Sequence, residues 1–544
     1  MPLPQDSKPC VYRLEHHPGG IIPYCDERPL LSLRNPLGRP RRIAAGVKPE
    51  HQCLYFLPSP LMGQGIEELL QRLPEDSAIL AIEASQELFG LCSPHIPPAL
   101  IHHPRIHWAR FHHPMAMSQF LTSLELNQYR RYRRINFGSH SLGSTYDALE
   151  QQLAQDLAAH WRNRHVLERL GRHWIRHSLS NLQYLSTHPQ RVHSAADFRP
   201  QGLPVVVGAG PSLDTALPFL RTHRSQLCLI AVDTALPSLL AAELEPQLVV
   251  ALETQAWNLL DFHGSQKTSI PIAADLTAYP ATLEATQGEL YLFSSQFASL
   301  NYLRRLAEAQ LQPLPIPALG SVGLAAVELA LATSQGPILL CGLDFSAPAG
   351  KSHSRGSLMH RWALGVSHRL NPSPAPDSSL QSKRRAFCNG LNQKIYADGV
   401  LEGYATLFRR HYQSHPRLAV LHPGGTDLGL PLLKANQAKK LIHAHQPLPP
   451  KAPSEWNPQA ASAFLQEERQ RLQAVIRAWE SYAANTSNAQ TVCQALEGLD
   501  EIFCDFPDSS PLPREDNAFL VRAVQRTRRL LTLLETPRRE AGSS

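Results

Sequence analysis

The chain has 544 residues and a formal net charge of +6, a length that points to three or four domains, each able to bury a core. Its 9 cysteines are scattered, odd in number and without a Cys-x-x-Cys pair, which argues against a disulfide framework or a structural zinc site. No apolar run approaches the ~20 residues that span a bilayer, the segment 5–8 lacks the apolar core of a signal peptide, and the modest charge does not require nucleic acid, so a cytoplasmic protein is expected.

Residues 53–57 read as a strand, 61–65 as a turn, 66–73 as a helix and 78–82 as a second strand ending at Glu83. This predicts a small N-terminal α/β domain over 1–125, with Glu83 placed as a ribose acceptor would be. The turn is short of glycine and flanked by Pro58 and Pro60, so a structural domain is the better reading. His102, His103, His107, His112 and His113 follow, but Pro104 and Pro114 break any helical His-x-x-x-His zinc face. The basic run 129–134 lacks an RNA-binding motif and reads as a solvated helical face with Glu150, Asp156 and Glu168 as partners. Helical periodicity over 146–185 completes a connector spanning 126–195.

The central domain, 196–445, carries the chemistry. The strand ending at Val207 leads into Gly208-Ala209-Gly210-Pro211-Ser212, in which glycines permit a sharp turn and close ligand approach. Proline suits a first helical position, where its missing N–H sacrifices nothing, and the helix start attracts phosphate. Apolar strands 227–232 and 246–252 end at Asp233 and Glu253, and Asp233 is placed to accept from a ribose hydroxyl. Gly320 and Ser321 open a helix over 324–333, after which strand 337–341 ends in Gly342-Leu343-Asp344-Phe345 and the polar loop holds Lys351, Ser352 and His353. Ligands of open parallel sheets lie outside the carboxyl strand ends, so Asp233, Glu253, Asp344 and His353 share one rim, although such acids also serve as helix caps.

A flexible insertion starts at 371–376, helical character returns over 395–412, and 418–421 supplies a last strand before Gly424 and Gly425, which border a ligand or form a plain turn. The proline-rich stretch 446–450 is a linker. The remainder, 446–544, is helical, with Ala463, Phe464, Leu472, Val475, Ile476 and Trp479 at helix-like spacing and further segments at 489–503 and 516–534. The predicted class is α/β: a central Rossmann-like doubly wound parallel sheet, preceded by a smaller α/β domain and followed by a C-terminal helical bundle.

The ordered blocks Gly208-Ala209-Gly210-Pro211-Ser212-Leu213-Asp214, Val232-Asp233-Thr234-Ala235-Leu236, Gly320-Ser321-Val322, Gly342-Leu343-Asp344-Phe345 and Gly350-Lys351-Ser352-His353 resemble those of the DUF115 proteins. That family includes the motility accessory factors (Maf) implicated in flagellin glycosylation and the archaeal 6-hydroxymethylpterin diphosphokinases called MptE-like. The blocks are also similar to those of bacterial CMP-sialic-acid sialyltransferases, over about 203–432. The resemblance implies that Gly208, Gly210, Pro211 and Ser212 surround the nucleotide phosphate and ribose and that Ser321 approaches the nucleotide or the sugar carboxylate. It implies that His353 stands where the sialyltransferases place a tyrosine near the departing phosphate. Asp233, Glu253, Gly320, Gly342, Asp344 and Ser352 complete the expected binding set, and no metal ligand is assigned. Ala209 and Asp233 replace asparagines of the sialyltransferases, and Ser346 replaces a tyrosine.

The function so implied is transfer of a nonulosonic (sialic-like, such as pseudaminic or legionaminic) acid from a CMP-sugar donor to serine or threonine of flagellin. His353 is the expected catalytic residue, with His360 or His368 as the base. No cofactor beyond the nucleotide-sugar is implied by this reading. The alternative is diphosphate transfer from ATP to a pterin-like alcohol, with Mg²⁺ held by Asp233 and Asp344. A third possibility is a non-catalytic nucleotide- or flagellin-binding protein.

Overall fold

The computed structural model describes residues 11–110, 129–137, 143–297, 300–370, 385–389, 391–422, 424–444, 456–506 and 515–536, with positions 116, 117, 120, 121, 124, 449 and 513. The chain divides by packing into two units, Met1–Val166 and Leu167–Ser544. The division falls inside one long helix, Gly143–Thr187, rather than at the ends of the expected connector.

In the first unit, β1 (Tyr12–His17), β2 (Gly20–Cys25) and β3 (Arg28–Pro29) form an antiparallel sheet. A parallel sheet follows, with β4 (Cys53–Pro58), β5 (Ala78–Glu83), β6 (Ile106–Arg110) and β7 (Arg131–Arg134) in the order β6-β5-β4-β7. Tyr55 and Ile79 enter the core on one face and Phe56 and Leu80 on the other, as the two-residue period of a strand requires. The basic run departs from the helical expectation because its own alternation has period two. Tyr132 packs inward while Arg131 and Arg133 reach Glu50 at 3.3 and 2.8 Å. Arg134 pairs with Asp147 and Glu150 at 2.6 and 2.7 Å. Glu83 is buried and accepts from Tyr146 Oη (2.6 Å), Ser85 N–H (3.0 Å) and Ser59 Oγ (3.0 Å), a structural set of bonds. His107 lies in β6 beside the Tyr129 hydroxyl at 3.3 Å, and His112 and His113 lie outside the described residues.

In the second unit the strands are β8 (Val192–Ser194), β9 (Leu203–Val207), β10 (Leu227–Val232), β11 (Leu248–Ala251), β12 (Ile272–Asp275), β13 (Leu290–Gln296), β14 (Pro315–Pro317) and β15 (Ile338–Cys341). They are followed by β16 (Arg385–Cys388), β17 (Lys394–Ala397), β18 (Leu418–Leu421) and β19 (Leu432–Leu433). Ten of these make one sheet in the order β14-β13-β12-β11-β10-β9-β15-β18-β19, with β8 on β13. Every ladder in it is parallel.

Leu248 and Val250 of β11 enter one core, while Val249 and Ala251 enter the other. Helices Leu213–Thr222, Val322–Thr333 and Gly399–Tyr412 contribute to the first core. The second is covered by the end of the long helix and by Pro458–Ala483 and Asn517–Glu535, so the C-terminal helices pack directly on the central sheet. The stretch 395–412 begins as β17, paired antiparallel with β16, and turns helical only at Gly399. There the Asp398 carboxylate accepts the amides of Val400 and Leu401. The insertion 371–376, and 446–450 except Pro449, lie outside the described residues. Among the described residues no helix is long and apolar enough to cross a membrane.

From β9 the chain steps outward through β10 to β14, then returns to the other flank of β9 with β15, β18 and β19. The strand order therefore reverses between β9 and β15, and ligands of such sheets bind in the crevice outside the carboxyl ends at that point.

Candidate functional site at the switch point

Two backbones meet at this crevice. After β9, Gly208 N–H donates to Cys341 O and Gly210 N–H to Gly342 O, both at 2.8 Å. A Cβ on Gly342, whose φ is +68°, would overlap the Gly208 carbonyl, and one on Gly210 would lie 2.5 Å from Asp344 Oδ2. Glycine is thus required here by the neighbouring loop, where the sequence suggested ligand approach.

The helix begins at Leu213, so Pro211 sits in the preceding turn and not at the first helical position. Ser212 donates its N–H to Asp344 Oδ2 at 2.8 Å and its hydroxyl to Asp344 Oδ1 at 2.5 Å. The Asp344 carboxylate thereby occupies the anion-favouring helix start that the sequence reading assigned to a phosphate. Asp344 is buried, and burial raises its pKa against the opposing pull of the Ser212 bonds. With the amides of Gly208, Gly210 and Ser212 committed internally, side chains are left to meet an anion.

Those side chains come from the loop after β15. Ser354 N–H donates to Ala209 O at 2.8 Å, and Lys351 Nζ and the Arg355 amide bind Asp214 at 2.5 and 2.9 Å. This stitches half-buried Ser352 and His353 to the glycine turn, with His353 Nδ1 3.1 Å from Ser352 Oγ. His360 lies on helix Leu358–Gly365, none of whose residues is buried, and its Nδ1 accepts from Gly356 N–H at 3.3 Å. The nearest bond of His368 is local, from the Leu370 amide.

A cluster of acids lines the β10–β11 side. Asp233 is fully buried, and its oxygens accept from Thr234 N–H at 2.7 Å and Asn258 Nδ2 at 3.0 Å. The carboxylate expected at the ribose is therefore turned to its own chain. Burial, with Asp261 and Glu253 adding repulsion, pushes Asp233 up to about 7, and burial alone pushes Asp261 to about 6. Glu253 is half-buried, burial raises its pKa, and among the described residues no hydrogen bond reaches its carboxylate. Tyr404, from helix Gly399–Tyr412, lies within Coulombic range of Glu253 and against Gly320, whose Cβ position is 3.4 Å from Tyr404 Cε1. Half-exposed Ser321 follows Gly320 as the N-cap of Val322–Thr333.

The fold thus gathers Gly208, Gly210, Pro211, Ser212, Gly342, Asp344, Ser352 and His353 into one constellation. Asp233, Glu253, Gly320 and Ser321 lie on the flank. Sequence reasoning missed Asn258 and Asp261, on the 3-10 helix Ala256–Phe262, and Tyr404, inside helix Gly399–Tyr412, none of which carries a local signal. Among the described residues no group of three or more His, Cys, Asp or Glu could hold a metal ion.

A doubly wound parallel sheet with a glycine turn at its switch point defines an α/β protein of the Rossmann-like class. Residues 176–350 match the family described as 6-hydroxymethylpterin diphosphokinase MptE-like. A solved structure of the MAf glycosyltransferase from Magnetospirillum magneticum AMB-1 shares the fold, with a TM-score of 0.53 at 13% identity over 97% of this chain and 86% of that one. An uncharacterized protein of Treponema pallidum (strain Nichols) is 29% identical over 394 residues, covering 71% of this chain and 68% of its own. A second protein of that organism is 29% identical over 85 residues, 16% of this chain and 39% of its own.

Gly342→Ala should destabilise the protein by about 3 kcal/mol or more, since it combines overlap with a left-handed φ. Urea unfolding checks this, and a loss under about 1 kcal/mol would mean the two loops can separate freely. Asp261 has a folded-state pKa near 6, above its ordinary 3.8, so its stabilising contribution is full below pH 4 and is lost as pH rises through 6. Asp261→Asn should therefore be more stable than wild type at pH 8 by on the order of 2 kcal/mol, with the gain vanishing near pH 4. An equal change at both pH values would dismiss the buried-charge account.

Proposed function

We propose that the chain is a glycosyltransferase that moves a nonulosonic, sialic-like acid from a CMP donor to serine or threonine of a flagellin in the cytoplasm. The observation that carries this reading is the switch-point crevice, with its Ser352–His353 loop stitched onto the glycine turn. The shared fold with a glycosyltransferase supports it. In the reaction, the acceptor oxygen bonds to the anomeric carbon while the bond from that carbon to the phosphate oxygen breaks. The electron pair leaves on CMP, and the acceptor proton must be taken up.

His353 and Ser352 are the donors for the departing phosphate. Glu253, half-buried, with its pKa raised and free of hydrogen bonds among the described residues, is the better base than His360 or His368. The name of the matched family favours a second reading, diphosphate transfer from ATP with Mg²⁺ on Asp233 and Asp344. Those two carboxylates fit the ion poorly, because each oxygen already accepts from its own chain.

Thermal unfolding with CMP, CTP, UDP, ADP and ATP, each with and without Mg²⁺, separates these readings. A ligand at a hundred times its Kd adds about 2.7 kcal/mol. Stabilisation by cytidine nucleotides is expected; stabilisation by ATP only with Mg²⁺ would favour the diphosphokinase. In a transfer assay with a CMP-nonulosonate and flagellin, His353→Ala should cut turnover at least about tenfold and Glu253→Gln about a hundredfold. Unchanged turnover would remove either residue from the mechanism.

A further inference from the structure

The loops after β15 and β18 line an open cleft of about 110 Å³. Leu343, Val420, Leu428 and Leu430 give it aliphatic walls, and His422 and Thr426 add two polar side chains. Among the described residues, His422 Nε2 and Thr426 Oγ1 are buried without a hydrogen-bond partner. Burial without pairing is costly, and two such atoms on residues that line one cleft point to a group that pairs them when bound.

His422 also holds φ at +73°, a left-handed conformation unfavourable to a residue with a Cβ. The turn that follows is anchored. Gly424 packs on Ser212, Gly425 on the Asp344 backbone, and Thr426 N–H donates to Asp344 O at 2.9 Å. Burial lowers the His422 pKa, leaving a neutral imidazole with one donor and one acceptor nitrogen.

The lining also selects the ligand's chemistry. Among the described residues no lysine or arginine lines the cleft, whereas Asp344 and Asp427 do, so a phosphate is disfavoured. A sugar ring has hydroxyls around its whole rim, and those facing Leu343, Val420, Leu428 and Leu430 would be left unpaired. A heterocyclic base has apolar faces and a polar edge, which matches both features. We infer that this cleft holds the nucleobase of the donor, its polar edge paired by His422 and Thr426. This rests on the nucleotide-sugar reading above and adds where the base sits.

The test compares wild type with Thr426→Val and His422→Asn, using CMP and ribose 5-phosphate as probes in ligand-observed NMR and calorimetry. Valine removes the orphaned hydroxyl at nearly constant shape, and asparagine tolerates a left-handed φ, so the unliganded unfolding temperature should stay level or rise. Each variant should bind CMP at least tenfold more weakly and ribose 5-phosphate as wild type does. Unchanged CMP binding in both folded variants would overturn the base assignment and leave the glycosyltransferase reading standing. Equal losses for both probes would also overturn it, by moving the pair to the ribose-phosphate. Failure of wild type to bind CMP, UMP, AMP or GMP would overturn both the assignment and the reading beneath it.

Discussion

The central site is organised by a backbone contact so close that neither partner can carry a side chain: Gly208 against Gly342, where β9 and β15 end. The neighbouring loops are arranged by that approach. It brings Gly210 N–H onto Gly342 O and sets Ser212 over Asp344, while Gly425 packs onto the Asp344 backbone. Three loops, following β9, β15 and β18, are thereby fixed to one another at the point where the strand order reverses. The consequence is chemical as well as mechanical. A turn whose amides are spent on its neighbour is a poor phosphate cradle, so in the proposed reaction recognition of an anion passes to side-chain donors such as Ser352 and His353. The loop that carries them is tied to the turn through Ala209 and Asp214.

Carboxylate burial is the second organising cost, and two acids meet it differently. Asp344 accepts a hydroxyl and a charge-assisted amide bond from one residue, so its burial is offset locally. Asp233 has an amide and the Asn258 side chain, yet Asp261 and Glu253 lie close enough to add repulsion, and its pKa reaches about 7. Of the three carboxylates in that cluster only Glu253 is half-buried rather than buried, and it is therefore the one the proposed acceptor deprotonation can use.

Much of this was legible in the chain. β9, β10, β11, β15 and β18 are apolar runs closed by glycine, proline or an acid, and each lies where the pattern put it. β12 is only Ile-Ala-Ala-Asp and β14 is Pro-Ile-Pro, too short or too proline-rich to register, and β13 ends in Ser-Ser-Gln. They become strands because the neighbouring ladder offers partners, which is a tertiary cause. The arginines of β7 mislead for the converse reason, since charge suggests a solvated helix while the alternation around Tyr132 marks a strand edge. For the site, the glycine positions were visible but their purpose was not. A glycine needed for a ligand and one needed for another loop look identical in sequence. His422 and Thr426 carry no motif at all; their interest lies in what their atoms lack after folding.

Together these features divide the crevice by charge. Its floor is occupied by its own Ser212–Asp344 pair. One flank is acidic, around half-buried Glu253 and buried Asp261; another carries Lys351, Ser352, His353 and Arg355; the third, around His422, joins aliphatic walls to His422, Thr426 and the carboxylates of Asp344 and Asp427. A wholly apolar ligand would waste the polar atoms, and inorganic phosphate would engage the loop alone. A molecule joining an uncharged ring with a polar edge to an anion uses both, with a reacting group left over for the acidic flank. Nucleotide-sugars are built that way. The proposed activity therefore follows from how three chemically different walls converge on one switch point more than from any single residue.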